Sequence, residues 1–554
     1  MKFTLNGNET ETDGKQSILQ ICRGMKIAIP TLCYHPSLHP EARCRVCLVE
    51  MDGELVTACS TKPKEGAKVI TDSEKIKKAR RLNMELMMQN PSCSKDDDFE
   101  VCEIYKEVGM NRLRFDTLKT YEPDLGAAVI RDNNKCVNCG KCVRVCADIQ
   151  AIYAIDFASR AHNEHVTPYS EKPLADVACI RCGQCILNCP VGAISERSHI
   201  KEVQAALADP KKHVVVQTAP SIRAALGELF GMPAGTLVTG KMVASLRRCG
   251  FAKVFDVDLG ADITIMEESA ELLKRIENGG PLPLITTCCP GWILMMEFFY
   301  HDIFKYMSTC KSPHEMLGML IKTYYAKKAK IDPKDIVVVS IMPCTAKKFE
   351  STREEMKSGV DYVLTTRELG RLIKMKGIDF ASLPDEEFDP ALGVSTGAGV
   401  VFGASGGVME AALRTGYETA TGKKLDNVEF TQIRGMQGIK EGSVNINGKE
   451  IKFACANGGA NIRKLLEKMH DYHFIEMMAC PGGCFGGGGQ PIYQDPDTLK
   501  KRMEAIYSAD RQSTLRRSHE NPLVKQIYEE YLGKPLGHRA HKLLHTKYTK
   551  RSRF

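Results

Sequence analysis

Cysteine spacing constrains the fold of this chain more than any other feature of its sequence. The 554 residues include 23 cysteines, and sixteen of them fall into four sets of four. One run, C-x2-C-x2-C-x3-C, begins at Cys136 and is repeated from Cys179. Two complete copies of such a run do not arise by chance. A disulfide framework is not expected in a large chain whose N-terminus lacks the apolar core of a signal peptide. The spacing therefore predicts thiolates that bind metal.

The repeated run organises residues 126–208. Its spacing is that of bacterial ferredoxins with two [4Fe–4S] clusters, in which the fourth cysteine of each run binds the cluster of the other run. We therefore expect one cluster on Cys136, Cys139, Cys142 and Cys189, and the other on Cys179, Cys182, Cys185 and Cys146.

Residues 1–72 form a separate, β-rich unit in which short alternating segments are interrupted by glycines. Its cysteines follow the spacing C-x10-C-x2-C-x11-C at Cys33, Cys44, Cys47 and Cys59. Four thiolates with one close pair suit a [2Fe–2S] cluster. Structural zinc also accepts four cysteines and is the alternative.

From residue 209 to residue 515, short β-branched runs alternate with loops and helical segments. The runs include residues 213–217, 253–257, 335–340 and 474–477. This alternation predicts α/β layers around largely parallel strands. Three cysteine-containing loops each begin where one of the predicted strands ends. Because sites in open α/β sheets form beyond the carboxyl ends of the strands, we expect these loops to meet.

The three loops are Thr286-Thr-Cys288-Cys289-Pro-Gly-Trp292, Met342-Pro-Cys344-Thr-Ala-Lys347 and Cys480-Pro-Gly-Gly-Cys484, the last followed by Phe485 and four glycines. Together they resemble the signature loops of the [FeFe] hydrogenases, and the resemblance extends over nearly the whole chain. It implies an enzyme that interconverts hydrogen with two protons and two electrons.

The resemblance also implies the H-cluster, a [4Fe–4S] cubane joined to a diiron unit that carries CO, cyanide and dithiolate ligands. Matched motif by motif, the cubane ligands are Cys289, Cys344, Cys480 and Cys484, with Cys484 as the bridging thiolate. The diiron unit has no other protein ligand, so shape and hydrogen bonds hold it. Lys347 and Ser221 match the cyanide contacts. The expected pocket lining is Pro220, Met342, Met478 and His314, the last standing where some relatives have glutamine.

The proton path implied by the resemblance starts at Cys288, whose thiol has a pKa near enough to neutral for proton exchange. Glu268, Glu271 and Arg275 lie at i, i+3 and i+7, hence on one helix face. Ser308 supplies a hydroxyl at the relay position. The expected route runs from Cys288 through a water to Glu268, Ser308 and Glu271, with Arg275 at the outer end. The alternative for the two glutamates and the arginine is a surface ion-pair ladder.

Residues 73–125 are expected to be a helical linker. Long relatives place a His-ligated [4Fe–4S] cluster here, on a motif that begins His-Pro. This chain has Asn90-Pro91 instead, no histidine from 40 to 161, and only Cys93 and Cys102. We expect that this cluster has been lost, which would leave a gap between the [2Fe–2S] domain and the next clusters.

Residues 516–554 form a basic tail with His519, His538, His541 and His545. We expect a solvated, partner-docking helix pair, with a metal site on these histidines as the alternative. The tail and the N-terminal domain resemble those of subunits that assemble with NADH-linked flavoproteins. The expected partners are an NAD(P)H-linked flavoprotein, small ferredoxin-like subunits, and maturation proteins for the diiron unit. A stand-alone enzyme that uses soluble ferredoxin is the alternative.

The expected fold class is multidomain, α+β and α/β. A β-grasp [2Fe–2S] domain is followed by a helical linker, a two-[4Fe–4S] ferredoxin domain and a large α/β domain for the H-cluster. No flavin or NAD motif is present, and the glycine-rich segment 395–409 lacks the P-loop lysine. Bound clusters would lower the formal net charge of +8, so nucleic-acid binding is not expected. Neither is membrane insertion, and a cytoplasmic location is the default. A non-catalytic iron–sulfur assembly scaffold and a hydrogen sensor are the rival functions.

Overall fold

The computed structural model describes residues 1–88, 100–110, 114, 120–160, 163–493 and 495–553. The N-terminal unit is one five-stranded sheet of order β2-β1-β5-β3-β4, in which β1 and β5 are parallel. Helix α1 packs on it and begins with a capping box between Ser17 and Gln20. This is the expected β-grasp arrangement. Its elements are β1 (Lys2–Leu5), β2 (Asn8–Glu11), α1 (Ile18–Gly24), β3 (Leu48–Met51), β4 (Glu54–Thr57) and β5 (Lys68–Ile70).

The linker contains α2 (Glu74–Met87) and α3 (Glu100–Glu107). Their apolar faces share one buried cluster with Cys33 of the first domain and Cys139 of the next, so the linker packs between two cysteine-rich units. Cys102 is buried on α3. Cys93 and the pair Asn90-Pro91 lie outside the described residues, so the loss of the His-ligated cluster stays a prediction.

The repeat unit has a three-stranded sheet of order β10-β7-β6 and a hairpin of β8 and β9. Its two short helices, α4 and α5, each follow a glycine with positive φ, Gly140 at 76° and Gly183 at 71°. Only glycine adopts this conformation without strain. The elements are β6 (Asp124–Leu125), β7 (Val129–Arg131), α4 (Lys141–Arg144), β8 (Ile155–Ala158), β9 (His165–Pro168), α5 (Gln184–Leu187), β10 (Ile194–Glu196) and α6 (Ile200–Ala208).

The large domain contains two four-stranded sheets, as the alternating pattern predicted. The first has the order β12-β11-β14-β15 and is wholly parallel. The second has the order β13-β18-β17-β16 and is parallel except for the hairpin of β16 and β17. The strands are β11 (His213–Thr218), β12 (Lys253–Asp256), β13 (Leu284–Ile285), β14 (Ile336–Met342), β15 (Tyr362–Thr365), β16 (Ile439–Ile446), β17 (Lys449–Asn457) and β18 (Phe474–Met478).

Helix α8 is the longest of the described helices of this domain and packs against α10 and α15. The described part of the chain includes no helix that is both long and apolar enough to cross a bilayer. The helices are α7 (Thr239–Cys249), α8 (Val257–Asn278), α9 (Pro290–Phe299), α10 (Pro313–Leu320), α11 (Ala326–Ala329), α12 (Ala346–Glu350), α13 (Thr366–Met375), α14 (Gly397–Val400), α15 (Gly407–Thr421), α16 (Gly459–Leu466), α17 (Pro496–Gln512), α18 (Pro522–Ile527) and α19 (His538–Leu544).

The C-terminal segment is packed against the large domain, so the expectation of a solvated helix pair is wrong. Leu523, Val524 and Ile527 belong to the same buried core as β11 and β14. His545 forms an antiparallel bridge with Cys310, and its Nε2 lies 3.0 Å from Oε2 of Glu267 on α8. Apolar residues lie between the charged residues of this segment and give it a buried face. The expectation of a solvated pair considered only the charged residues and the histidines.

Candidate active site

Four parallel strands from the two sheets end beside one another and place the site. Strand β11 leads to Pro220 and β14 to Cys344, while β13 leads to Cys288 and Cys289 and β18 to Cys480. All five residues line a single cavity. The structure thus brings the three cysteine loops together at the carboxyl ends of strands.

The cavity is lined by the four cysteines expected to hold the cubane, Cys289, Cys344, Cys480 and Cys484, and the space free of protein atoms within it, including the part open to solvent, is about 720 Å³. The backbone N–H of Ala479 donates to Sγ of Cys289 over 3.3 Å. Burial raises the pKa of Cys344 to about 12, which metal binding would reverse because thiolate is the ligand form. Four convergent sulfurs in an apolar cavity fit a cubane with room for an adjoining group.

The glycines after Cys480 are required chiefly by close contacts between backbone segments. Gly483 has φ of 112°, and a Cβ on it would lie 2.4 Å from the nitrogen of Ser405. A Cβ on Gly487 would lie 2.2 Å from the oxygen of Pro343, in the Cys344 loop. Both glycines also line the cavity. Gly487 therefore allows the Cys480 and Cys344 loops to approach each other, and Gly483 allows the Cys480 loop to approach the backbone at Ser405.

Lys347 is the cation at the cavity. Its Nζ donates to the carbonyl of Cys288 over 3.1 Å and to Oε2 of Glu350 over 2.8 Å. A buried ammonium needs such an anionic partner. Of the other expected contacts, Pro220, Met342, Met478 and His314 line the cavity.

Ser221 is placed differently. It is fully buried, but it is not among the described residues that line the cavity. The side-chain amide of Gln490 donates to its carbonyl over 3.2 Å and to its hydroxyl over 3.3 Å.

The outer half of the expected proton path is assembled. Arg275 donates to Oε1 of Glu271 over 2.7 Å, and the Ser308 hydroxyl donates to Oε2 of Glu271 over 3.3 Å. The side chains of Glu271 and Arg275 are 12% exposed, so these two residues do not form a surface ladder.

Among the described residues, the inner half has no hydrogen bond of ordinary geometry to the Glu268 carboxylate, although the Ser308 hydroxyl and the Thr287 backbone N–H lie near enough to lower its pKa. Neither carboxylate oxygen of Glu268 has a hydrogen-bond partner among the described residues, although the side chain is fully buried. Burial raises the pKa of Glu268 to about 8. Burial also raises the pKa of Cys288, which lines the cavity, and the charge of Glu268 raises it further. An unpartnered buried carboxyl beside a cavity thiol is consistent with the expected water between them.

Each expected ligand set of the repeat unit surrounds its own cavity. One cavity is lined by Cys136, Cys139, Cys142 and Cys189, and the other by Cys146, Cys179, Cys182 and Cys185. Backbone N–H groups donate to Sγ of Cys136, Cys146 and Cys179 over 3.3–3.4 Å. Hydrogen bonds to sulfur tune the reduction potential of iron–sulfur clusters.

The four cysteines of the N-terminal unit are buried together. Cys33 lies beside Cys44, and Cys47 lies beside Cys59. This unit touches the repeat unit directly: Arg144, between Cys142 and Cys146, donates to the carbonyls of Cys33 and, over 2.5 Å, His39. The two units are therefore in direct contact, and whether electrons cross between their clusters stays a prediction.

A second set of contacts joins the repeat unit to the large cavity. The Thr345 hydroxyl donates to the carbonyl of Arg181 over 2.7 Å, and the Gln184 amide donates to the carbonyl of Gly486 over 2.8 Å. Each of these residues lies within two positions of a candidate ligand. No spacing in the sequence indicated Thr345 or Gln184, because such contacts join distant segments.

Sequence reasoning also missed residues around the large cavity. Phe402 is part of its lining. Glu476 accepts from the backbone N–H groups of Gly406 and Met409 at the start of α15, over 2.6 and 2.9 Å. Glu350 lies within the motif of Lys347, and a spacing of i, i+3 on a helix was the available signal.

Four families match the chain. Residues 1–74 match the 2Fe-2S iron-sulfur cluster binding domain, and residues 135–193 match the 4Fe-4S dicluster domain. Residues 212–488 match the iron only hydrogenase large subunit, C-terminal domain, and residues 496–551 match the iron hydrogenase small subunit.

Individual relatives agree with these families. The chain is 44% identical to the NADP-reducing hydrogenase subunit HndD of Solidesulfovibrio fructosivorans, over 100% of this chain and 99% of that protein. It is 42% identical to iron hydrogenase 1 of Clostridium pasteurianum, over 99% of each. The solved structure of an apo [FeFe]-hydrogenase from Chlamydomonas reinhardtii covers 64% of this chain and 100% of that one, with 44% identity and a TM-score of 0.59.

The scaffold class is represented at lower identity. The cytosolic iron-sulfur assembly component 3 of Rattus norvegicus is 30% identical over 67% of this chain and 82% of that protein.

The chain belongs to the [FeFe] hydrogenase family. It is an oxidoreductase with an H-cluster domain, a domain for two [4Fe–4S] clusters and a domain for one [2Fe–2S] cluster. The family, the fold class and the reaction expected from the signature loops are thereby confirmed.

Proposed function

We propose that Cys289, Cys344, Cys480 and Cys484 hold the cubane of the H-cluster, with Cys484 as the bridging thiolate. The convergence of these four sulfurs with Lys347 and Cys288 on one cavity carries this proposal. When bound, the H-cluster supplies the iron at which two protons and two electrons combine into hydrogen. Lys347 offers its ammonium to an anionic ligand inside the cavity. The apolar lining, which includes Met342 and Met478, excludes water.

Protons move between solvent and the cavity through Glu271, Ser308, Glu268 and Cys288, in that order from outside. Arg275 orients the Glu271 carboxylate and does not itself release a proton, because guanidinium stays charged. A single water between Glu268 and Cys288 completes the route. A carboxyl with a pKa of about 8 is suited to exchange protons near neutral pH.

Cys33, Cys44, Cys47 and Cys59 would hold the [2Fe–2S] cluster, and the two sets in the repeat unit would hold one [4Fe–4S] cluster each, Cys136, Cys139, Cys142 and Cys189 the first and Cys146, Cys179, Cys182 and Cys185 the second. When bound, these clusters would supply the electron relay between the N-terminal unit and the cubane. Arg144 supports this relay where it joins the N-terminal and repeat units, and the contacts of Thr345 and Gln184 support it where the repeat unit meets the large cavity.

The physiological partner is an NAD(P)H-linked flavoprotein within a multisubunit complex that also contains small ferredoxin-like subunits. The similarity to a relative named as an NADP-reducing hydrogenase subunit supports this assignment. Soluble ferredoxin is the second candidate. Purification from the native host, with identification of co-purifying chains, distinguishes them. Recovery of the chain alone would contradict the complex.

The catalytic assignment is tested with Cys288→Ser. A hydroxyl has a far higher pKa than a thiol, so proton exchange at the cavity is expected to slow by about 10²-fold or more. Iron content and the infrared bands of iron-bound CO and cyanide are expected to persist, because Cys288 is not a proposed ligand. Infrared bands of iron-bound CO and cyanide in the parent enzyme would exclude a non-catalytic iron–sulfur assembly scaffold. Turnover with a reduced dye would exclude a hydrogen sensor.

The control is Cys249→Ser, the same change at a buried cysteine in the core around β11. It is expected to retain turnover. Normal turnover in Cys288→Ser would refute the relay role.

A further inference from the structure

A buried hydrogen-bond network reaches Lys347 through His314, which lines the cavity. Nε2 of His314 lies 2.7 Å from Oε2 of Glu350. The same oxygen accepts from Nζ of Lys347 over 2.8 Å and from the hydroxyl of Ser312 over 2.9 Å. One carboxylate oxygen therefore holds the ammonium, the imidazole and the hydroxyl together.

The partners of His314 determine its tautomer. Burial lowers the pKa of His314 to about 4, and the charge of Lys347 lowers it further, so the ring is neutral and has one N–H. Glu350 accepts only, so that N–H is on Nε2. Nδ1 must then accept, and the hydroxyl of Ser340 lies 3.1 Å from it. The amide of Gln217 donates to that hydroxyl over 3.1 Å, which leaves the hydroxyl hydrogen for His314.

The network contains one cation and one anion, the ammonium of Lys347 and the carboxylate of Glu350. Burial opposes ionisation of Glu350, yet Lys347 and His314 bring its pKa down to about 2. Glu315 lies 3.3 Å from Nε2 of His314, but burial raises its pKa to about 8, so it is protonated at neutral pH. Glu350 is thus the anion that competes with the cavity for the ammonium of Lys347.

We propose that His314 is a positioning residue for Lys347. By donating to Oε2 of Glu350, the imidazole satisfies part of that carboxylate and fixes its rotamer. Nζ of Lys347 then keeps its hydrogen bond to that fixed oxygen while it also donates to the carbonyl of Cys288 beside the cavity. The proposal rests on the proposed role of Lys347 toward an anionic ligand of the diiron unit.

The test uses the full-length holoenzyme with two substitutions at one position. His314→Leu removes the donor and the acceptor at similar volume, whereas His314→Gln keeps an amide N–H for Glu350 and a carbonyl for Ser340. The measurements are the infrared bands of iron-bound cyanide and CO in one defined redox state, the iron content and the turnover. The matched control is His213→Leu. His213 is the first residue of β11, at the end of that strand away from the cavity, and its imidazole lies 2.9 Å from the Tyr325 hydroxyl.

For His314→Leu we expect the cyanide bands to shift more than the CO bands, with turnover about tenfold lower because a hydrogen bond to a charged group is lost. His314→Gln and His213→Leu are expected to keep the parent cyanide bands. Cyanide bands at the same positions in His314→Leu as in the parent enzyme would overturn the proposal. Equal shifts of these bands in His314→Leu and His314→Gln would also overturn it.

Two further outcomes are distinguished: failure of His314→Leu to take up the diiron unit, and absence of cyanide bands in the parent enzyme. If His314→Leu does not take up the diiron unit, Ser312→Ala replaces it, because it removes another donor from the same oxygen of Glu350. We expect a smaller shift of the cyanide bands in the same direction, and unchanged bands would overturn the proposal. Absence of cyanide bands in the parent enzyme would instead refute the proposed function.

Discussion

At the scale of single residues, burial decides the chemistry more than residue type does. Glu267, Glu268 and Glu271 are neighbours on α8 and have the same functional group. Glu267 accepts hydrogen bonds from the C-terminal segment, and Glu271 pairs with Arg275. Glu268 is buried without a hydrogen-bond partner among the described residues. Burial holds the Glu268 carboxyl in its protonated form at neutral pH.

Glu268→Gln is expected to change both turnover and the pH dependence of stability. Turnover should fall by about 10²-fold, because the amide cannot relay a proton. The folded pKa of about 8 lies above the value of about 4.3 for a free glutamate. The contribution of Glu268 to stability is thus full below about pH 4 and is lost as the pH rises through about 8.

Relative to the parent, Glu268→Gln should therefore gain stability between mildly acidic and alkaline pH. Thermal melting of both proteins at about pH 5 and about pH 9 measures this difference. Glu277→Gln, on an exposed position of the same helix, serves as the control. The same melting difference at both pH values would contradict the assigned protonation.

At the scale of elements, α8 is held by the C-terminal segment. Glu267 is buried, and its donors are the Tyr528 hydroxyl, the Leu536 backbone N–H and the His545 imidazole. His545 is also within 2.7 Å of the Thr309 hydroxyl, in the loop of Ser308. The C-terminal segment therefore contacts both α8, which carries Glu268 and Glu271, and the loop of Ser308, the two elements of the proposed proton path.

His545→Leu is expected to destabilise the large domain by about 1–3 kcal/mol, because a buried carboxylate loses a donor. Thermal or denaturant unfolding measures the loss. His545→Gln keeps a donor and an acceptor and should recover most of it. His538→Leu, at an exposed position of α19, should have little effect. Equal stability of the leucine and glutamine variants at position 545 would contradict this role.

Helix α4 carries one of the contacts between the first two cluster domains, beside those of Arg43 with Asn138 and of His39 with Asp148. Arg144→Met keeps much of the buried volume but removes both hydrogen bonds to the carbonyls of Cys33 and His39. We expect slower reduction of the [2Fe–2S] cluster by hydrogen, followed by its electron paramagnetic resonance signal, with dye-linked turnover retained. An unchanged reduction rate would show that the contact does not support electron transfer.

At the scale of the whole molecule, four cysteine-rich sites are connected by direct protein contacts, so the chain is organised as one electron path. The [2Fe–2S] domain lies at one end and the large cavity at the other. The linker packs beside this path without interrupting it.

Cys47→Ser tests the path at its outer end. Serine is a poor ligand for a [2Fe–2S] cluster, which requires thiolate, so we expect iron to fall by about two atoms per chain and the [2Fe–2S] signal to disappear. Hydrogen turnover with a small dye should persist, whereas electron exchange with the partner complex should be lost. Cys22→Ser, at a buried cysteine in the same core outside the four expected ligands, is the control. Unimpaired exchange in Cys47→Ser would mean that electrons enter elsewhere.

The sequence alone indicated the order of domains and the ligand sets of the two ferredoxin-type units, because thiolate spacing is a local pattern. Its signature loops also indicated the reaction class and the cubane ligands, through their resemblance to those of the [FeFe] hydrogenases. The sequence also indicated Glu268, Glu271 and Arg275, since helical periodicity places them on one face. Only the tertiary structure decided that Arg144 joins two cluster domains, that the C-terminal segment is buried, and that Ser221 lies beside Gln490. These contacts join residues more than a hundred positions apart in the sequence. Burial, which sets the pKa of Glu268 and the tautomer of His314, exists only once the chain has folded.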